Sequence, residues 1–195
     1  MSKCEELSFL SKTKGLASVL MDIQPKLTSS LEETKLKILL DSLDLFMDSM
    51  ACFSIPVVVT EQAPEKLGGS LRQIAEKLPK CTLIQKNTFS AFGEHSFCQW
   101  LAENSVNHLL LSGIETSICI YLTAVDALKN GLGVTIISDC VLSRRDADAD
   151  TALNELSKAG ASILSLETIL YSLMASSSHP KFKEICCLVK SREEA

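Results

Sequence analysis

Six short apolar runs, separated by helix-patterned stretches, constrain this fold more than any other feature. They are LASVLMD (16–22), IPVVVTEQ (55–62), CTLIQK (81–86), NHLLLSG (107–113), GVTIISDC (133–140) and ASILSLE (161–167). Most are continuously apolar over four or five residues rather than alternating, as strands covered on both faces are. Between them, residues 31–50 place Leu36, Leu39, Leu40, Leu43, Phe46 and Met47 on one helical stripe. Shorter helical stretches fall at 71–78, 94–103, 117–130, 146–159, 168–174 and 181–190, with Gly131 and Gly160 suited to end two of them. The order βαβαβαβαβαβα predicts a Rossmann-like, three-layer α/β/α fold: a six-stranded parallel sheet, right-handed crossovers and helices on both faces. The chain has 195 residues, without a long linker, repeat or low-complexity tract, and reads as a single domain over 1–195.

Composition narrows the function classes. A net charge of −5 supplies no basic footprint, so no nucleic-acid partner is expected. No apolar run approaches the roughly 20 residues of a membrane helix, so no membrane partner is expected. The opening MSKCEELSFLSKTKG lacks an apolar h-region, and its acidic Glu5 and Glu6 argue against a mitochondrial presequence. The eight cysteines form no C-x-x-C pair and the three histidines lie far apart, which argues against zinc. They are expected to be reduced thiols of a cytoplasmic protein, with mitochondrial association left open.

In such a fold, ligands bind outside the carboxyl ends of the strands. The residues placed there are Asp22 and Gln24, Glu61 and Gln62, Lys86, Asn87 and Thr88, then Glu115, Thr116 and Cys119, then Asp139, Cys140, Ser143 and Arg144. No G-x-G-x-x-G and no Walker lysine follows the first strand, so no dinucleotide or other cofactor is expected. Cys119 falls at the start of a helix, where the dipole favours thiolate and free N–H groups can hold an oxyanion. Asp22 could take its proton and Lys86 could balance the charges. By position alone, Cys119 is either a packed core thiol or a nucleophile. Asp22 is less easily dismissed, because a buried carboxylate needs a partner.

The motifs LMDIQPKL, IPVVVTEQAPEKLG, IQKNTFSAF, LLLSGIETSICI, SDCVLSRR and HPKFKEI stand in that order along the chain. From about residue 16 to 190, the sequence resembles the isochorismatase-like cysteine hydrolases, and is most similar to the isochorismatase domain-containing proteins. The resemblance implies a catalytic Asp22–Lys86–Cys119 triad. It also implies a cis Ile114–Glu115 peptide, with the N–H groups of Glu115 and Cys119 as the oxyanion hole. Retention of the cysteine points to the amidase-like branch: cleavage of a small amide or related C–N bond in a small-molecule substrate. Gln24, Glu61, Gln62, Phe89 and Thr116 are candidate pocket residues, with loop capping the alternative for Glu61 and Gln62. Arg144 would bind a substrate carboxylate or form a salt bridge.

The nicotinamidase branch of that family holds a metal through an Asp-x-His pair after the second strand. Here TEQAPEKLGG has no histidine, and His95, His108 and His179 do not replace it. No metal is therefore expected. Members of the family assemble as homo-oligomers, for which the apolar helices and the C-terminal EICCLVK offer contacts. The alternative to an enzyme is a catalytically silent binding or scaffold protein of the same fold.

Overall fold

The computed structural model describes residue 10 and residues 13–193. Cys4 and most of the N-terminal stretch read above for a leader lie outside the described residues. The elements are β1 (Leu16–Met21), α1 (Glu33–Phe53), β2 (Val57–Gln62), β3 (Thr82–Lys86), α2 (His95–Glu103), β4 (His108–Ile114), α3 (Tyr121–Lys129), β5 (Gly133–Leu142), α4 (Asp146–Lys158), β6 (Ser162–Leu164), α5 (Leu166–Met174) and α6 (Phe182–Glu193). They form a six-stranded sheet of order β3-β2-β1-β4-β5-β6, parallel throughout.

The expected layers are present. On one face, Leu43, Phe46 and Met50 of α1 pack with Leu170 of α5 and with Ile185 and Val189 of α6. On the other, Phe97 and Trp100 of α2 pack with Ala124 and Ala127 of α3 and Leu156 of α4. The apolar residues of EICCLVK are thus largely used inside the protein: Ile185 and Val189 are buried. Among the described residues, no helix is long and apolar enough to cross a membrane.

Strands β1, β2 and β4 are buried along their whole length, as continuous apolar runs demand. Strand β3 departs from that expectation. It is an edge strand, with Thr82, Leu83 and Gln85 exposed while Ile84 and Lys86 are buried. Strand β5 runs two residues beyond its expected end. Its register against β4 jumps from Leu111↔Ile136 to Gly113↔Val141. The sequence reading also overextends the helix expected at 71–78, where single turns cover Arg72–Ala75 and Leu78–Lys80. It passes over short turns at Pro25–Thr28, Pro64–Leu67 and Ala91–Gly93. Four-residue turns carry too little hydrophobic periodicity to register.

Connections leave β1 toward β2 and β4 toward β5 on opposite sides of the sheet. The switch point therefore lies between β1 and β4, and the carboxyl ends of these strands are where a fold of this kind places its ligand.

Candidate active site

Asp22 follows β1 immediately. Its backbone is left-handed, with φ 58°, a region that aspartate tolerates better than most residues. The Asp22 N–H donates to the Thr60 carbonyl at 3.1 Å. Its Oδ1 accepts from Thr60 Oγ1 at 2.7 Å, and its Oδ2 lies 2.7 Å from Lys86 Nζ, with both side chains fully buried.

Lys86 closes β3, and its side chain reaches across β2 toward Asp22. Besides the carboxylate, its ammonium donates to Gln62 Oε1 at 2.6 Å and to the carbonyls of Thr88 and Phe89 at 3.3 Å each. It stands 3.5 Å from Cys119 Sγ. A buried charge needs such a full set of partners.

Cys119 sits beyond β4, in a turn wider than the expected α-helix. Thr116–Ile120 is a π-helical turn, in which the Glu115 carbonyl accepts from the N–H groups of Ile118 at 3.1 Å and Ile120 at 3.2 Å. Such widened turns recur at functional sites. The Ile114–Glu115 peptide is cis. Gly113 precedes it with φ 110°, and a Cβ there would fall on the backbone of Met21. Only glycine lets β4 pass this close to β1.

The electrostatics of the thiol differ from the expectation drawn from a helix start. Burial first, then the adjacent Asp22 carboxylate, push the Cys119 thiol up to about 12, while Lys86 pulls the other way. Desolvation and a neighbouring anion outweigh the partial charge of a helix end. Cys119 is therefore favoured as the thiol, beside the Asp22–Lys86 ion pair. A proton leaving sulfur has Asp22 beside it.

The other candidate residues divide. Gln24 is buried and fastens the loop after β2: it donates to the carbonyls of Gln62 and Gly68 and accepts from the Gln62 N–H at 2.7 Å. Glu61 caps the same loop through the N–H and hydroxyl of Ser70, at 2.6 and 2.8 Å. Gln62 holds Lys86 and donates to the Asn87 carbonyl at 2.9 Å. Phe89 is 59% exposed. Thr116 is fully buried, and its hydroxyl has no hydrogen-bond partner among the described residues. Arg144 forms the salt bridge, with Nε 2.7 Å from Glu115 Oε1. A depression of about 690 Å³ beside the Cys119 turn is lined by Glu115, Ser117, Ile118, Arg144, Arg145 and Asp148. Among the described residues, no three His, Cys, Asp or Glu side chains gather as ligands for a metal.

Sequence reasoning did not single out Thr60. Its signal is a hydroxyl in VVVTEQ, a strand otherwise apolar up to that point.

The sheet order and the polar cluster beyond β1, β3 and β4 together define a parallel α/β protein with a candidate site at its β1–β4 switch point. The chain belongs to the isochorismatase-like hydrolase family, and the isochorismatase domain matches residues 17–168. It is 27% identical to isochorismatase family protein 2A of Dictyostelium discoideum over 92% of each chain. It is 31% identical to isochorismatase domain-containing protein 2 of Danio rerio over 89% of this chain and 86% of that one. Other relatives are longer: the match covers 48% of the Danio rerio isochorismatase domain-containing protein 1. Among solved structures, that described as MAR1 ribonuclease from Caenorhabditis elegans superposes with a TM-score of 0.83 and 30% identity, over 91% of this chain and 90% of that one.

Proposed function

We propose that this protein is a metal-independent cysteine hydrolase that cleaves a small amide or related C–N bond. The supporting observation is the buried arrangement of Cys119, Lys86 and Asp22, with Lys86 Nζ 3.5 Å from the sulfur and 2.7 Å from the carboxylate. In this reading, Cys119 attacks the substrate carbonyl carbon and passes its proton to Asp22. The N–H groups of Glu115 and Cys119 receive the oxyanion. The C–N bond breaks, protonated Asp22 returns the proton to the departing nitrogen, and an acyl-enzyme thioester remains. Asp22 then takes a proton from water as that water attacks the thioester. The C–S bond breaks, the acid leaves, and Asp22 returns its proton to the sulfur, restoring the thiol. Lys86 stays protonated and balances whichever of Asp22 or sulfur carries the negative charge.

The same reading takes the protein as cytoplasmic and homo-oligomeric, with a small-molecule substrate and no cofactor. RNA is not the substrate proposed, despite the description of the nematode neighbour. The net charge is −5, and Lys86, the lysine at this site, is buried in an ion pair.

One observation favours the second reading, a silent binding protein: Cys119 is only 6% exposed. A hydrolase screen over small amides, carbamoyl compounds, esters and an RNA oligonucleotide, run beside Cys119→Ala, separates the readings. Turnover lost in Cys119→Ala is expected. Turnover retained in that variant would sink the covalent mechanism, and no turnover or acyl adduct in the wild type would favour the binding protein.

A further inference from the structure

The base and the lysine come from strands that do not touch. Asp22 follows β1 and Lys86 ends β3, and in the sheet order β2 lies between them. The register sets Thr60 opposite Met21, one residue before Asp22, and Gln62 opposite Lys86. Thr60 and Gln62 are two apart, so their side chains leave β2 on the same face. Glu61, between them, bonds instead to Ser70 in the following loop.

Each of the two β2 side chains takes one member of the pair. The Thr60 hydroxyl donates to Asp22 Oδ1 at 2.7 Å, so the carboxylate meets Lys86 through its other oxygen, Oδ2. Gln62 Oε1 accepts from Lys86 Nζ at 2.6 Å, and Gln62 is itself fixed by donating to the Asn87 carbonyl and by its backbone bond to Gln24. An ammonium has three protons. Gln62 Oε1 takes one of them, and Asp22 Oδ2 lies 2.7 Å away as an ion pair. The others are left for the Thr88 and Phe89 carbonyls at 3.3 Å or the Cys119 sulfur at 3.5 Å. A carboxylate without Thr60 could rotate, and an ammonium without Gln62 could follow it away from sulfur.

We infer that Thr60 and Gln62 are positioning residues: strand β2 holds the carboxylate of Asp22 and the ammonium of Lys86 so that both face Cys119. This rests on the hydrolase reading above. It assigns the precision of that site to a strand that contributes no reacting group.

The test uses the full chain and 4-nitrophenyl acetate, a small activated ester. Sulfur displaces nitrophenolate from the acetyl carbon, the thiol proton passes to Asp22, and the acetyl group remains on Cys119. Nitrophenolate release gives the rate, and peptide mass gives the site. Thr60→Val keeps the shape and removes the hydroxyl; Thr60→Ser keeps the hydroxyl and removes the methyl. Thr60→Val and Gln62→Met should each slow acetylation of Cys119 by roughly tenfold or more. Thr60→Ser should stay within about threefold of wild type. Ser70→Ala, which loosens only the loop clasp on Glu61, should leave the rate unchanged.

A merely structural role would instead make Thr60→Ser, the smaller side chain, as slow as Thr60→Val, and that pattern would overturn the inference. Wild-type rates in both Thr60→Val and Gln62→Met would overturn it too. If Thr60→Val does not fold, Gln62→Met alone decides. A wild-type chain that takes no acetyl group on Cys119 overturns the hydrolase reading, and this inference with it.

Discussion

Cys119 is the residue at which position and environment disagree most. The start of a helical turn favours thiolate, yet burial and Asp22 push the thiol up to about 12. Simple alkylation needs preformed thiolate. Iodoacetamide at neutral pH should therefore modify the exposed Cys187 at least roughly 100-fold faster than Cys119. The Cys119 rate should climb about tenfold per pH unit through the alkaline range. Peptide-resolved labelling measures both rates, and fast neutral labelling of Cys119 would refute the protonated resting state. Asp22 gives a second prediction at this scale. Asparagine tolerates its left-handed backbone, but Asp22→Asn leaves the buried Lys86 ammonium without its carboxylate, so the variant should fold with its unfolding free energy lowered by about 3–5 kcal/mol. It should still lose roughly 100-fold or more in Cys119 acetylation, because the proton acceptor is gone. That Asp22, Lys86 and Cys119 lie at one edge of the sheet was legible in the sequence, because each ends a strand-like run or opens the segment after one. The state of the thiol was not, because it depends on desolvation and on a carboxylate 97 positions away in the chain.

Between elements, the contact that decides the site is β4 against β1. Their register brings Gly113 opposite Met21, and a side chain at 113 would collide with the Met21 backbone. Gly113→Ala should therefore cost roughly 3 kcal/mol of unfolding free energy, from both the collision and the positive φ. Urea titration measures it, and a cost below 1 kcal/mol would show that β1 gives way. The six strands were readable as continuous apolar runs. Irregularities beyond them were not: the β5 register jump and the π-helical turn at Thr116–Ile120 leave no periodic trace. The edge position of β3 was also hidden, since one polar residue in a run does not tell which neighbour is missing.

For the whole molecule, acid sensitivity should centre on His108, buried where β4 meets β5 and bonded to Thr135 Oγ1 at 2.8 Å. Burial lowers its pKa to about 4. The unfolded chain, near 6.5, then binds more protons than the folded one between those values, so stability is full above about pH 6.5 and falls as pH drops toward 4. The loss should approach roughly 3 kcal/mol. Comparing unfolding at pH 7 and pH 4.5 in wild type and His108→Gln checks it; an equal fall in both would clear His108. The proposed homo-oligomer predicts a solution mass at least twice the 21.2 kDa of one chain, and light scattering at micromolar concentration reads it directly. Local periodicity and the order of elements were enough to determine the α/β class, the parallel sheet and the sheet edge where ligands belong, because these follow from which residues must leave water. Only the tertiary structure decided that Lys86 crosses β2 to reach Asp22, that Gln24 and Glu61 turn into the loop they fasten, and that Thr60 and Gln62 hold the pair. Those are contacts between strands set side by side, and sheet register, unlike burial, has no signature within one strand.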